Sequence, residues 1–174
     1  VSNPNFLNSD KLVYTTIESS EIDKLTDFGY KTTKSGVSLG TRFEYLDDFR
    51  VGLGSTNYYE QIETDSTASA RQKKQEGDYW DSFLKLDFDY DKRNQKFQTN
   101  EGFRSYYSVD LPIISETNTL KNIYNYKYFT ELYEENISTI SFYVSGVNSI
   151  TNDDVKLSER LNIPSSRLRG FEYG

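Results

Sequence analysis

The sequence predicts an all-β fold: an antiparallel up-and-down meander of about seven strands, part of the wall of a transmembrane β-barrel and open as it stands. Three observations carry this expectation. Several stretches alternate apolar and polar residues with a period of two, as strands with one apolar face do. Hydrophobic residues make up only 35% of the 174, low for a chain that fills a dry core, yet fifteen Tyr and eleven Phe raise aromatics to 16%. That balance fits a wall with one apolar and one wet face. No run approaches the roughly 18 apolar residues of a membrane helix, which excludes helical spans but not spanning strands, where only alternate residues are apolar.

Taken in order, residues 1–10 are rich in turn formers and read as a connection between strands. Residues 11–19 form a β-rich run whose facing the sequence leaves open, and 20–34 read as a polar loop with frayed strand at its far end. From Gly36 the alternation is legible, with Val37, Leu39, Thr41, Phe43 and Tyr45 on one side and Ser38, Gly40, Arg42 and Glu44 on the other. A tight turn at Leu46, Asp47 and Asp48 leads into Phe49, Val51, Leu53 and Ser55, alternating with Arg50, Gly52, Gly54 and Thr56. These glycines are expected to face a lumen, where they are tolerable because the backbone can be wet or covered by a plug.

Residues 62–78 read as a long polar loop against the tight turn before it, and long and short connections are expected to alternate along the chain as extracellular loops and periplasmic turns do. The clearest strand follows: Trp80, Leu84, Leu86 and Phe88 are expected to face lipid, and Asp81, Lys85 and Asp87 the lumen. Aromatics cluster at both ends of this hairpin, Tyr58, Tyr59, Tyr79 and Trp80 at one and Phe49, Phe88 and Tyr90 at the other. The separation of about nine or ten residues crosses a bilayer at a tilt, so two girdles are expected. Residues 91–102 read as a structured turn. Val109 and Leu111 then belong to the lipid side, and Arg104 and Asp110 to the lumen, before Pro112 ends the strand. A loop at 115–120, a strand carrying Tyr124, Tyr126 and Tyr128, and a turn at 133–136 precede Phe142 and Val144, again lipid-facing, with a last loop from Ile150.

A formal charge of −7 argues against a nucleic-acid partner. With no Cys and no His, disulfide frameworks and His-based zinc or catalytic sites fall away. Asp87, Asp89 and Asp91 invite a calcium reading, but the positions that need Gly and Glu in an EF-hand are Lys92 and Gln98. The three carboxylates are instead expected to pair with Lys85, Arg42, Arg50 and Arg104 in the lumen. No metal and no cofactor is expected. No nucleophile has a base, and no Gly-rich phosphate loop is present, so the chain does not read as an enzyme.

The last stretch is the most specific. Arg169-Gly170-Phe171 resembles the signature of the sixth extracellular loop of the BamA family of outer-membrane protein insertases. The longer run Arg160-Leu161-Asn162-Ile163-Pro164-Ser165-Ser166-Arg167-Leu168-Arg169-Gly170-Phe171 is similar to alphaproteobacterial members. Asn3-Pro4-Asn5-Phe6-Leu7-Asn8 resembles a Pro-x-Phe-Leu-Gly turn of the same barrel, with Asn8 in place of the usual Gly. Residues 91–94 resemble its Asp-x-Arg-Asn segment, where Pro is frequent at the position of Gln98 or Thr99. The resemblance implies that residues 1–174 are an internal piece of an outer-membrane barrel domain, roughly its fifth to eleventh strands of about sixteen, ending inside the sixth loop. It implies a location in the outer membrane of a Gram-negative bacterium, with the export signal outside the piece. The partners it implies are outer-membrane lipids, unfolded outer-membrane protein clients and accessory assembly lipoproteins. It implies that Arg169 turns into the lumen toward an acidic residue of a later strand, with Gly170 allowing the turn and Phe171 packing beside the pair. A two-partner secretion transporter, which carries a similar loop motif, and a passive porin remain as alternatives.

Overall fold

The computed structural model describes residues 1–115, 118–134, 136–152 and 154–161. These form one antiparallel sheet in chain order: β1 (Ser2–Asn3), β2 (Lys11–Lys24), β3 (Tyr30–Leu46), β4 (Phe49–Thr64), β5 (Gly77–Asp91), β6 (Gly102–Ile114), β7 (Thr119–Tyr133) and β8 (Asn136–Ser149). β1 is a two-residue bridge, so the wall consists of seven long strands. The helices among the described residues are short, the longest being α1 (Leu25–Phe28) and α2 (Ala70–Lys73).

Several boundaries differ from the sequence reading, each for a local reason. The polar stretch 20–34 is strand at both ends: β2 and β3 pair without a break from Lys11 opposite Phe43 to Lys24 opposite Tyr30. Only α1 and Gly29 turn the chain, Gly29 at φ +74 closing the helix in the left-handed region. Polarity misled there because both sides of the hairpin are hydrophilic. Pro112 does not end β6, which runs to Ile114; the register slips between Ser82 and Phe83 on β5, and the irregularity absorbs the missing donor. Long and short connections do not alternate cleanly either. The connection 92–101 lies at the same end as the tight turn at Asp47 and Asp48, while α1 and Gly29 make a short one at the opposite end.

Positive φ values explain two departures from the resembled family's turns. Asn8 stands at φ 56, a conformation that Gly meets without cost and Asn tolerates. Gln98 stands at φ 53, which a proline ring at that position could not adopt. Asp48, at φ 64, makes the two-residue turn with its backbone N–H donating to Glu44 Oε1 at 2.9 Å.

The two faces of the sheet are inverted relative to a water-soluble protein. Pairing of Tyr59 with Trp80, Ser55 with Leu84, Leu53 with Leu86, Val51 with Phe88 and Phe49 with Tyr90 makes an apolar outer face. It continues through Leu111, Val109 and Tyr107 on β6 and Phe142 and Val144 on β8. Trp80, Phe142 and Val144 are exposed, whereas Asp81, Asp87, Asp89 and Glu60 on the inner face are buried. Phe49, Phe88, Tyr90, Phe103 and Tyr126 form a continuous series of ring contacts with centroids 5.6–6.3 Å apart. Beyond Tyr59 and Trp80 the outer face turns polar, with Ser35, Thr33 and Lys31 on β3 and Gln61 and Glu63 on β4. From Phe49 to Tyr59 the apolar band is ~33 Å along the strand, which at a tilt of about 45° gives the roughly 25 Å of an outer-membrane belt.

Candidate functional site

The inner face carries two ionic clusters at opposite ends. Toward the tight-turn end, Asp87, Asp89 and Asp91 project from alternate positions of β5, and each accepts hydrogen bonds from a guanidinium. Arg42 on β3 donates through Nε and Nη2 to Asp87 Oδ2 at 3.0 and 2.7 Å. Arg104 on β6 grips both oxygens of Asp89 at 2.7 and 2.8 Å, and Arg93 grips both of Asp91 at the same two distances. Such forks are the stronger form of ion pair because both bonds are charge-assisted. The Arg42 pair spans β4 because Gly52 stands between: a Cβ there would lie 2.4 Å from Asp87 Oδ1. Gly40 and Gly54 are likewise covered, by the Tyr14 ring, which a Cβ on Gly40 would meet at 2.4 Å. The lumenal glycines are therefore seats for side chains rather than bare backbone.

Of the cations expected beside these carboxylates, Arg42 and Arg104 take them. Arg50 lies 3.8 Å from Glu44 instead, and Lys85 lines a cavity further up. Arg93, in the turn after β5, is a partner that strand alternation had no means of naming.

At the other end the chain leaving β8 lies against the inner wall. Lys156 is fully buried, its ammonium 2.5 Å from Asp81 Oδ2 on β5 and 4.1 Å from the centroid of Tyr79. Gln75 holds the backbone on both sides of Lys156, donating to Val155 O at 3.3 Å and accepting from Leu157 N at 2.9 Å. Arg71 donates to both oxygens of Asp154, and Tyr58 donates to Glu159 Oε1 at 3.3 Å. Gln75 and Arg71 are in place because residues 65–76 are ordered. Asp65 accepts from Thr67 and Ala68, and Ser69 and Gln72 close a capping box at the start of α2. The Arg71 hydrogen bonds hold the Asp154 carboxyl below the usual range, and those from Thr67 do the same for Asp65.

Between the clusters lies a cavity of about 240 Å³ to which all seven long strands contribute: Glu18, Lys34, Tyr58, Lys85, Asp110, Lys121 and Val147. Strands at the two ends of the sheet line one space, so the wall curls around a lumen. Ser158 and Glu159 close part of it.

The register places Trp80, Leu84, Leu86, Phe88, Val109, Leu111, Phe142 and Val144 on the outer face and Asp81, Lys85, Asp87, Arg104 and Asp110 on the inner one. It corrects the aromatic girdle, since Tyr58 and Tyr79 pair with Asp81 and Glu60 on the inner face. Only Tyr59 and Trp80 of that group face outward. Proximity in sequence suggested one belt, but neighbours on a strand point to opposite sides. Arg169, Gly170 and Phe171 lie outside the described residues. Lys156 and Gln75 escaped the sequence reading because neither stands in a periodic stretch; a lone Lys between Val155 and Leu157 was the only signal.

A family model described as the Omp85 superfamily domain matches residues 1–174. A search of curated proteins gives no match.

Proposed function

This chain belongs to the Omp85 superfamily, and from that premise we propose that it forms part of the barrel of a BamA-like assembly factor, which folds and inserts outer-membrane proteins. The superfamily comprises outer-membrane proteins of Gram-negative bacteria or of organelles; on the present reading the membrane is that of a Gram-negative bacterium, with an alphaproteobacterial kinship. The observation that supports it is the inverted sheet, with buried charge at Asp81, Asp87 and Asp89 behind a wall that exposes Trp80, Phe142 and Val144. In this reading the outer residues meet lipid, where a charge at mid-depth costs about 2–4 kcal/mol, and the inner ones meet water, loop and client.

Assembly of this kind needs no covalent step. The barrel thins the bilayer beside a weak seam, and an exposed strand edge there templates client strands by pairing. Unfolded outer-membrane proteins are the clients, and accessory lipoproteins bind through periplasmic domains. The run from Arg160 to Phe171 favours insertion over two-partner secretion, the other superfamily function in view. Several periplasmic repeats ahead of the barrel would support the insertase, and two the transporter.

The test is complementation of a depletion strain by the intact protein, with outer-membrane protein levels as the readout. Arg169→Ala is expected to lower those levels markedly, because it removes the guanidinium that the resemblance directs toward an acidic residue of a later strand. Arg169→Lys should impair assembly too, because a point charge does not replace the planar fork, whereas Arg160→Lys should be silent. Full activity of Arg169→Ala would remove the loop from the mechanism.

A further inference from the structure

The last loop is fixed to the barrel well before its Arg-Gly-Phe sequence. Five consecutive or near-consecutive positions are held from three directions: Asp154 by Arg71, Val155 and Leu157 by the Gln75 amide, Lys156 by Asp81, and Glu159 by Tyr58. The contacts differ in kind. Arg71 and Asp154 are exposed at the surface, so water competes for both. Lys156 and Asp81 are each 0% exposed, and the Tyr79 ring also neighbours the ammonium. A cation taken so far from water is stable only where an anion and an aromatic face replace the hydration shell.

We infer that Lys156 is a positioning residue: seated on Asp81, it pins the root of the last loop to the inner wall and sets the depth from which the chain runs on toward Arg169. Gln75 fixes the backbone around it, so that the ordered loop 65–76 and the last loop move as one body. The anchor is distinct from the Arg-Gly-Phe sequence and from any acidic partner of Arg169. Its consequence for assembly rests on the function proposed above; its existence does not.

The 174 residues contain no cysteine, so single thiols can report on each part. Ser158→Cys places a thiol two positions beyond Lys156, where the native hydroxyl oxygen is buried. Ser108→Cys places one on β6 opposite Asp87, buried and outside the lining of the cavity that the loop partly closes. In the intact protein in native membranes, with any cysteine outside these residues replaced by serine, labelling by a charged maleimide is measured for each, alone and combined with Lys156→Met. Because that change leaves Asp81 buried without its partner, Lys156→Met with Asp81→Asn is made as well, removing both charges so that the barrel folds. The expected result is that Ser158→Cys labels at least about tenfold faster in the doubly neutral background, as a local opening would produce, while Ser108→Cys keeps its rate. An unchanged rate at Ser158→Cys overturns the anchor. Equal acceleration at both thiols overturns it too, because that is general loosening of the wall. Outer-membrane protein levels in the same strains are a separate readout: faster loop labelling with levels at the parental value leaves the anchor standing and counts against the assembly role of the loop.

Discussion

The two ends of the lumen solve the same problem, charge held away from bulk water, in opposite ways. Near the tight-turn end the carboxylates of Asp87 and Asp89 are almost wholly buried, but the side chains of their partners Arg42 and Arg104 remain 34% and 40% exposed. Both bridges join one strand of the wall to another. At the loop end both Lys156 and Asp81 are sealed, and the bridge joins the wall to a segment beyond it in sequence. An Arg reaching from a strand keeps part of its guanidinium wet, so removal of its partner leaves a charge that water can still serve. A sealed Lys has no such recourse. The lower cluster braces the sheet, and the upper one ties a loop to it.

The sharpest way to break the comparison is to delete one carboxylate at each end. Asp81→Ala strands a buried ammonium and should cost about 3 kcal/mol of barrel stability or more. Asp89→Ala, beside a half-wet Arg104, should cost about 1 kcal/mol or less. Urea unfolding of the intact protein in detergent, followed by the heat-modifiable gel shift, measures both. Equal costs would mean that the two ends do not differ in the way the burial indicates.

A smaller effect is expected from Gly52→Ala. The methyl would fall on the Asp87 carboxylate, which must move off its seat and lose Arg42. Overpacking of this sort costs about 1–3 kcal/mol. If the clash is the cause, Gly52→Ala should add little once Arg42→Ala and Asp87→Ala have removed the pair; an undiminished cost in that background would place the strain elsewhere.

How much of this the residues announced depends on periodicity. Phe49 to Thr56 and Trp80 to Asp91 alternate so regularly that the two faces of β4 and β5 were legible, because a strand's period of two admits only two assignments. That Arg42 and Arg104 serve these carboxylates followed from facing, but facing offered Arg50 and Lys85 equally, and which cation takes which carboxylate depends on reach across the sheet. β2 and the first half of β3 were not legible: with both sides hydrophilic above Ile17 and Val37, alternation vanishes, although backbone pairing there continues to Lys24 and Tyr30. The loop anchor was hidden for a different reason. Asp81 and Lys156 are brought together by how the chain after β8 folds back, and nothing local to either residue encodes that.

The weakest link is expected to be Arg71 with Asp154, and its exposure separates it from the sealed pair. Asp154 is held below the ordinary carboxylate range, first by the hydrogen bonds from Arg71 and then by the guanidinium charge. A depressed folded-state value stabilises the fold above the unfolded value of about 3.9, and the contribution disappears as pH falls through the lower, folded one. The difference in thermal midpoint between the intact protein and its Arg71→Ala variant should therefore be constant from about pH 5 to 8 and shrink toward zero only in strong acid. Because both groups are exposed, the difference should also fall as salt rises from about 0.1 to 1 M, where the screening length drops from about 10 to 3 Å. A midpoint difference that ignored salt would mean that Arg71 acts by packing on the last loop rather than by its charge, and the contrast between an exposed tie and a buried anchor would then lose its electrostatic basis.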